Sequence, residues 1–180
     1  MRALAFALLA ALVLPLAACG DDQSAPPPPR PLDPDALAYF CGMVVADHPG
    51  PKGQIILTDR DEPIWFSSVR DAIAFTLSPS EPRNIAAFYV NDMTDTNWNK
   101  PGPDTWIDAR RAWYVIGSDR RGGMGAPEAI PFKEKASAEA FAAAHGGRVA
   151  TLDAMPRDYI LEVPDAMPER MGGATGAQDD

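Results

Sequence analysis

Gln54-Ile55-Ile56-Leu57-Thr58, Asp59-Arg60-Asp61-Glu62-Pro63, Ile64-Trp65-Phe66 and Ser67-Ser68-Val69-Arg70-Asp71 follow one another without a gap, and together they decide the fold class. The first run is short and apolar, the second is a charged turn closed by proline, and the third is a second short strand. Ser68 with Asp71 three residues later forms a capping box that opens a helix running to about Leu77, with Pro79 and Pro82 ending it. Ile85-Ala86-Ala87-Phe88-Tyr89-Val90 is then a third strand, which runs into Asn91-Asp92-Met93. The order is β-β-α-β.

The second half follows the same order. Ala112-Trp113-Tyr114-Val115-Ile116 reads as a strand, and Gly117 to Pro127 as a Gly-rich turn that carries Met124. Glu128-Ala129-Ile130-Pro131-Phe132 is a strand, and Pro131 confines it to a sheet edge. Ser137 is expected to cap a helix through His145, closed by Gly146-Gly147. Arg148-Val149-Ala150-Thr151-Leu152 is the last full strand, with Asp158-Tyr159-Ile160-Leu161 a further edge segment. Trp65-Phe66-Ser67-Ser68…Ala74-Phe75 is matched by Pro131-Phe132…Ala140-Phe141. The reading is an α+β protein of two similar β-β-α-β units in tandem, residues 37–103 and 104–163. Thr94 to Pro103, rich in Asn, Asp and Pro and holding Trp98, links them.

Outside these units the chain changes character. Arg2 and the apolar run Ala3–Leu16 form a signal segment, residues 1–18, too short to span a bilayer. It ends in Leu16-Ala17-Ala18-Cys19, which has the form of a bacterial lipobox: cleavage falls before Cys19, and Cys19 receives lipid. Two or more acyl chains anchor a protein stably to a membrane. Gly20, in place of an aspartate after that cysteine, favours outer-membrane over inner-membrane sorting. Residues 19–36 are a tether whose Pro26-Pro27-Pro28-Pro29 run is expected to be an extended, semi-rigid spacer, with folded structure from about Leu37. After Pro164 the chain, to residue 180, is acidic and Gly-rich and reads as disordered.

Removing residues 1–18 takes away one basic residue, Arg2, so the mature charge is 15 − 25 = −10. An acidic chain without a basic patch argues against nucleic acid and anionic lipid as partners. The sequence holds two cysteines. With Cys19 lipidated, Cys41 is left as a lone thiol in an oxidising compartment, a liability that calls for a reason.

Cys41 stands two residues from Met43, in Tyr39-Phe40-Cys41-Gly42-Met43-Val44-Val45. In a strand, residues i and i+2 share a face. Two readings use that geometry: a pair of soft sulfur donors, which select Cu(I) over harder divalent ions, or two ordinary core residues. Met93, after a strand end and beside Asp92, is expected at a rim, and Met124 is flanked by glycines in Gly122-Gly123-Met124-Gly125. Met155, Met167 and Met171 lie in Pro-flanked or disordered sequence and carry no role. Catalysis finds little support, since the chain offers only His48 and His145 as bases. His48 sits in the turn Asp47-His48-Pro49-Gly50 and His145 at a helix C-terminus, where a histidine suits the dipole. Neither forms zinc-ligand spacing, and Gly50-Pro51-Lys52-Gly53 lacks the length and hydroxyl of a phosphate loop.

Six stretches in order, Phe40-Cys41-Gly42-Met43-Val44-Val45, Gly50-Pro51-Lys52-Gly53-Gln54-Ile55, Trp65-Phe66-Ser67-Ser68-Val69-Arg70-Asp71-Ala72, Tyr89-Val90-Asn91-Asp92-Met93, Trp106-Ile107-Asp108-Ala109-Arg110 and Gly122-Gly123-Met124-Gly125-Ala126-Pro127-Glu128-Ala129, resemble the NosL family, lipoprotein accessory factors of nitrous oxide reductase. The resemblance covers about Phe40 to Leu161. It implies a periplasm-facing lipoprotein that binds Cu(I) and delivers it for assembly of the reductase's copper–sulfide centre. The partners it implies are the reductase apoprotein and an ABC-type maturation complex in the membrane. The implied fold is similar to the repeated units of organomercurial lyase. By matching residues, Cys41 and Met43 are the first metal ligands, Met93 the next, then Met124 and Asp92. A thiol-dependent lyase is the enzymatic alternative, although that chemistry calls for further cysteines; a metal-free structural lipoprotein is the third. Mass spectrometry of the membrane fraction is expected to show a mature N-terminus at a lipidated Cys19. An unmodified Cys19, or cleavage elsewhere, would contradict this reading.

Overall fold

The computed structural model describes residues 25–161; the signal segment, Cys19 and the tail 164–180 lie outside them. Gly53-Gln54-Ile55-Ile56-Leu57 forms strand β1, and all five residues are buried. A strand buried on both faces must lie inside a sheet with both sides covered. β1 pairs antiparallel with β2 (Ile64–Phe66) on one side and with β3 (Ile85–Asn91) on the other. Helix α1 (Val69–Leu77) covers one face, presenting Val69, Ala72, Ile73 and Phe75 to Ile55, Phe66 and Phe88. Ser68 caps this helix as the sequence indicated, its hydroxyl accepting from the Asp71 amide at 3.4 Å.

The other face carries the cross-strand row Trp65–Gln54–Tyr89. The proline-rich segment covers it, so the fold starts well before Leu37. The Gln54 side-chain amide donates to the carbonyl of Arg30 and its oxygen accepts the Arg30 amide, while the Tyr89 hydroxyl donates to the carbonyl of Pro27. Leu32 and Ala36 pack with Ala38, Val45, Trp65 and Trp106. A polar Gln54 can be fully buried because both ends of its amide are satisfied. Thus residues 27–36 serve as a covering layer as well as a spacer.

A strand that the sequence did not signal, β4 (Trp106–Asp108), pairs with β3, giving the order β2-β1-β3-β4. Residues beyond the linker therefore belong to the first sheet, and the division at residue 103 does not hold at the level of strand pairing. Only three residues long and flanked by Pro103 and the Ala109–Arg111 turn, β4 is too short for a periodicity signal. The second sheet has β5 (Trp113–Ile116) between β6 (Ile130–Phe132) and β7 (Arg148–Thr151). Pro131 is on an edge strand, as its missing N–H requires. Helix α2 (Lys135–His145) begins two residues before Ser137, after an extended Glu134, and Ser137 lies inside its first turn. Gly146, at φ 72°, terminates it. Asp158–Leu161 is not an edge strand: Arg157–Leu161 is a short helix, α3, following Pro156, with Asp158 in its first turn and Ile160 buried in the main core.

The main core draws on both halves: Phe66, Phe75 and Phe88 share it with Tyr114, Ile116, Met155 and Ile160. Met155 is thus a core residue, and neither half closes its interior alone. Gly53 marks the tightest helix–sheet contact, because a Cβ there would stand 2.6 Å from Ala72 Cβ. Gly53→Ala is expected to destabilise the protein by about 1–3 kcal/mol, the usual cost of overpacking. Urea unfolding checks this; an unchanged midpoint would show that α1 can shift off the sheet freely.

Candidate metal centre

Tyr39–Val45 is a turn, not the strand that its apolar composition suggested. Gly42 takes φ 66°, a conformation that interrupts any extended pairing. Its amide donates to the carbonyl of Ala38 at 2.8 Å, and the amide of Ala38 donates to the carbonyl of Met43 at 2.8 Å. Leu37 and Val44 pair at the base, and the Tyr39 amide ties the turn to the β2 edge through the carbonyl of Trp65. The Tyr39 ring stands edge-on to Phe75 at 5.3 Å, and its hydroxyl donates to Glu81 at 2.8 Å. Cys41 and Met43 are both exposed near the tip. The core-pair reading of these two residues is excluded by that exposure.

A second loop reaches the same region from the other sheet. Arg121 pairs with Pro127, Gly122 N donates to Ala126 O and Gly125 N to Gly122 O, which leaves Met124 exposed on the loop. Gly122 and Gly123 let this loop press on the first half. A Cβ on Gly122 would collide with Glu128 Oε2, and one on Gly123 would lie 2.6 Å from His48 Cβ and 3.1 Å from the Ser67 carbonyl oxygen. His48 Nδ1 donates to the carbonyl of Gly123 at 3.1 Å, which assigns its proton to Nδ1. Cys41 Sγ lies 3.9 Å from Ser67 Oγ. Ser67 therefore meets the thiol with its side chain and the methionine loop with its carbonyl.

The structure does not bring the other two expected ligands to this place. Met93 is 7% exposed and packs with Val115, Ile130, Phe132 and Trp98 in the core of the second sheet, so the rim position suggested by Asp92 beside it is not where it sits. One oxygen of Asp92 accepts from the Thr94 amide, the Thr94 hydroxyl and the Lys133 amide. That carboxylate is occupied in joining the end of β3 to the chain after β6. Among the described residues, no cluster of three or more His, Cys, Asp or Glu side chains forms a metal cage.

Two buried charged residues beside the site escaped the sequence reading. Lys52 is buried, and its Nζ donates to the carbonyls of His48, Pro49 and Gly50 at 2.6, 3.1 and 2.6 Å. It fastens the His48 turn that receives Gly123. Burial pushes its pKa down to about 8, with the negative charge of Glu128 opposing the shift. Glu128 is fully buried, and its Oε1 accepts the amides of Arg70 and Ala129, each at 2.9 Å. Burial pushes its carboxyl up to about 7 against those hydrogen bonds and one from Ser68. The signal in each case was an ionisable residue leading into an apolar strand, Lys52 before Gln54-Ile55-Ile56 and Glu128 before Ala129-Ile130, where a charge is rare unless partnered.

An α+β protein with a cysteine and a methionine on one exposed turn, and another exposed methionine on a loop that meets the same Ser67, has the form of a carrier for a soft metal ion. The NosL family model matches residues 29–160, and the chain belongs to the NosL family. It is 42% identical over 182 residues to the copper-binding lipoprotein NosL of Achromobacter cycloclastes, covering 98% of this chain and 90% of that protein. The corresponding protein of Stutzerimonas stutzeri is 35% identical, with 84% and 79% covered. The crystal structure of the copper chaperone NosL from Shewanella denitrificans superimposes with a TM-score of 0.68 at 34% identity, covering 73% of this chain and 98% of that one.

The buried carboxyl has a pH signature. A folded-state pKa near 7 against an ordinary 4.5 means that the folded protein holds the Glu128 proton more tightly than the unfolded chain. Its contribution to stability is full below pH 4.5 and is lost as pH rises to about 7. Glu128→Gln, which keeps an acceptor for Arg70 and Ala129, is expected to flatten the fall in unfolding free energy across that window. Denaturation at stepped pH measures it, and an unchanged slope would assign the titration to another group.

Proposed function

We propose that this chain is a membrane-anchored lipoprotein, facing the periplasm, that binds Cu(I) and hands it to nitrous oxide reductase apoprotein for assembly of the copper–sulfide centre. An ABC-type maturation complex in the membrane is the second partner, and the outer membrane is the preferred location of the anchor. The observation that carries this reading is the exposed turn holding Cys41 and Met43, with the Met124 loop resting on the same Ser67. Cys41 supplies the anionic ligand, and Met43 and Met124 are proposed as the thioether donors. Met93 and Asp92 leave the set, because one is packed in the second core and the other is committed to backbone amides. The shared strand order of the two sheets, with each central strand flanked by the next two, supports reading them as copies of one β-β-α-β unit.

Soft thiolate and thioether donors suit Cu(I) and discriminate against the harder ions. A site of two or three sulfurs on a surface turn leaves an approach open, so an incoming ligand can bond before an old one leaves. Such a site retains copper yet releases it to a partner. The protein is a carrier and not an enzyme. The lyase reading needs further cysteines beside Cys41, and the sequence holds just one more, Cys19, placed at the lipid anchor.

Competition with a Cu(I) chelator under argon tests the ligand set. Cys41→Ser is expected to weaken binding at least about a thousandfold, roughly 4 kcal/mol, because a serine hydroxyl is hard and stays protonated at neutral pH. Met43→Leu and Met124→Leu should each weaken it less, since each removes one neutral donor and keeps the volume. Met93→Leu should leave affinity unchanged. Circular dichroism confirms the fold of each variant, and a Cys41→Ser protein that binds like the wild type would place the site elsewhere.

A further inference from the structure

Metal transfer by ligand exchange has a steric condition. The accepting atom must come within bonding distance of the copper, so whatever surrounds Cys41 lies inside the complex that carries out the transfer. That surrounding is unusual. Leu37, Tyr39, Phe40 and Met43 are 41–58% exposed, and Met124, on the loop that meets the same Ser67, is 51% exposed. Five of the six large hydrophobic side chains exposed among the described residues are therefore on the turn or on the loop that meets Ser67 beside it. Neither segment bears a charge: none occurs from Ala36 to Ala46, nor from Gly122 to Pro127, in a chain whose mature net charge is −10.

The collar is also stiff. Phe40 leans on Phe66 at 5.8 Å and on Tyr39 at 5.1 Å, while Tyr39 is held between Phe75 and Glu81. A rigid aromatic collar loses little side-chain freedom on binding, the property of an interface anchor.

We infer that this apolar collar is the docking surface for the protein that receives the copper, and that the complex it makes is transient. The inference rests on Cys41 being the copper site. Five half-exposed side chains of this size present roughly 500 Å². A stable interface needs about 800 Å² from each partner. The area suits a partner that docks, takes the ion and leaves, and it is too small for a lasting dimer of this chain.

The test uses Leu37→Ser and Phe40→Ser in the full chain, loaded with Cu(I). Two quantities are measured on each: affinity by chelator competition, and the rate of copper transfer to nitrous oxide reductase apoprotein at one fixed ionic strength. The expected result is an affinity within about twofold of wild type and transfer slowed tenfold or more. Transfer at the wild-type rate by both variants would overturn the docking surface. An equal fall in affinity and transfer would make the two residues part of the copper site. Sedimentation of the wild type as a dimer that Leu37→Ser dissociates would assign the collar to a second copy. If the wild-type chain holds no Cu(I) against the chelator, the carrier function itself fails, and that outcome is visible before any transfer is measured.

Discussion

One buried carboxylate connects the halves of this protein where they meet. Glu128 enters the second sheet's edge strand, yet its Oε1 accepts the amide of Arg70, in the first turn of α1. The first amides of a helix have no partner within it, and they carry the positive end of its dipole. A carboxylate from the second half therefore completes the cap that Ser68 begins. The network extends from there: the Tyr159 hydroxyl donates to the carbonyl of Glu128 and accepts the amide of Gly117, and Arg70 Nε donates to the carbonyl of Tyr159. Burying a carboxyl costs stability unless it is hydrogen-bonded, and the raised pKa shows that cost only partly offset.

That constraint sets the site. Gly122 fits against the Glu128 side chain, and Gly123 against His48 and Ser67. Lys52 holds the His48 turn through three carbonyls, so the loop bearing Met124 rests on a floor braced from both halves. The turn bearing Cys41 and Met43 is fastened separately, to the β2 edge through Tyr39 and Trp65. Charged groups do their work below the surface, and sulfur and aromatic groups are left on top. This segregation suits a soft ion that must be held by sulfur and then surrendered.

Local signals were legible in the sequence and long-range ones were not. Ser68 with Asp71, Gly146 and Pro131 acted within a few residues of themselves, so α1, the end of α2 and the edge position of β6 could be read directly. The Tyr39–Val45 segment misled because its composition is that of a strand, whereas Gly42 at positive φ makes it a turn. Asp158–Leu161 misled in the opposite sense, its aromatic and branched residues outweighing Pro156 as a helix start. Cys41 and Met43 were legible as a pair because only Gly42 separates them. Asp92 beside Met93 pointed to a rim, yet the second sheet's core covers that side chain, while Met124 stays exposed on its glycine-flanked loop. Glu128 and Lys52 gain their meaning from partners and neighbours across the fold, which no local pattern encodes.

The central claim is that copper is held by sulfur on the exposed turn, and X-ray absorption at the copper edge of the Cu(I)-loaded protein tests it most directly. The account predicts a first shell of two or three sulfur atoms, with one sulfur lost from it in Met43→Leu. A shell dominated by nitrogen or oxygen, or one unchanged by that substitution, would contradict it.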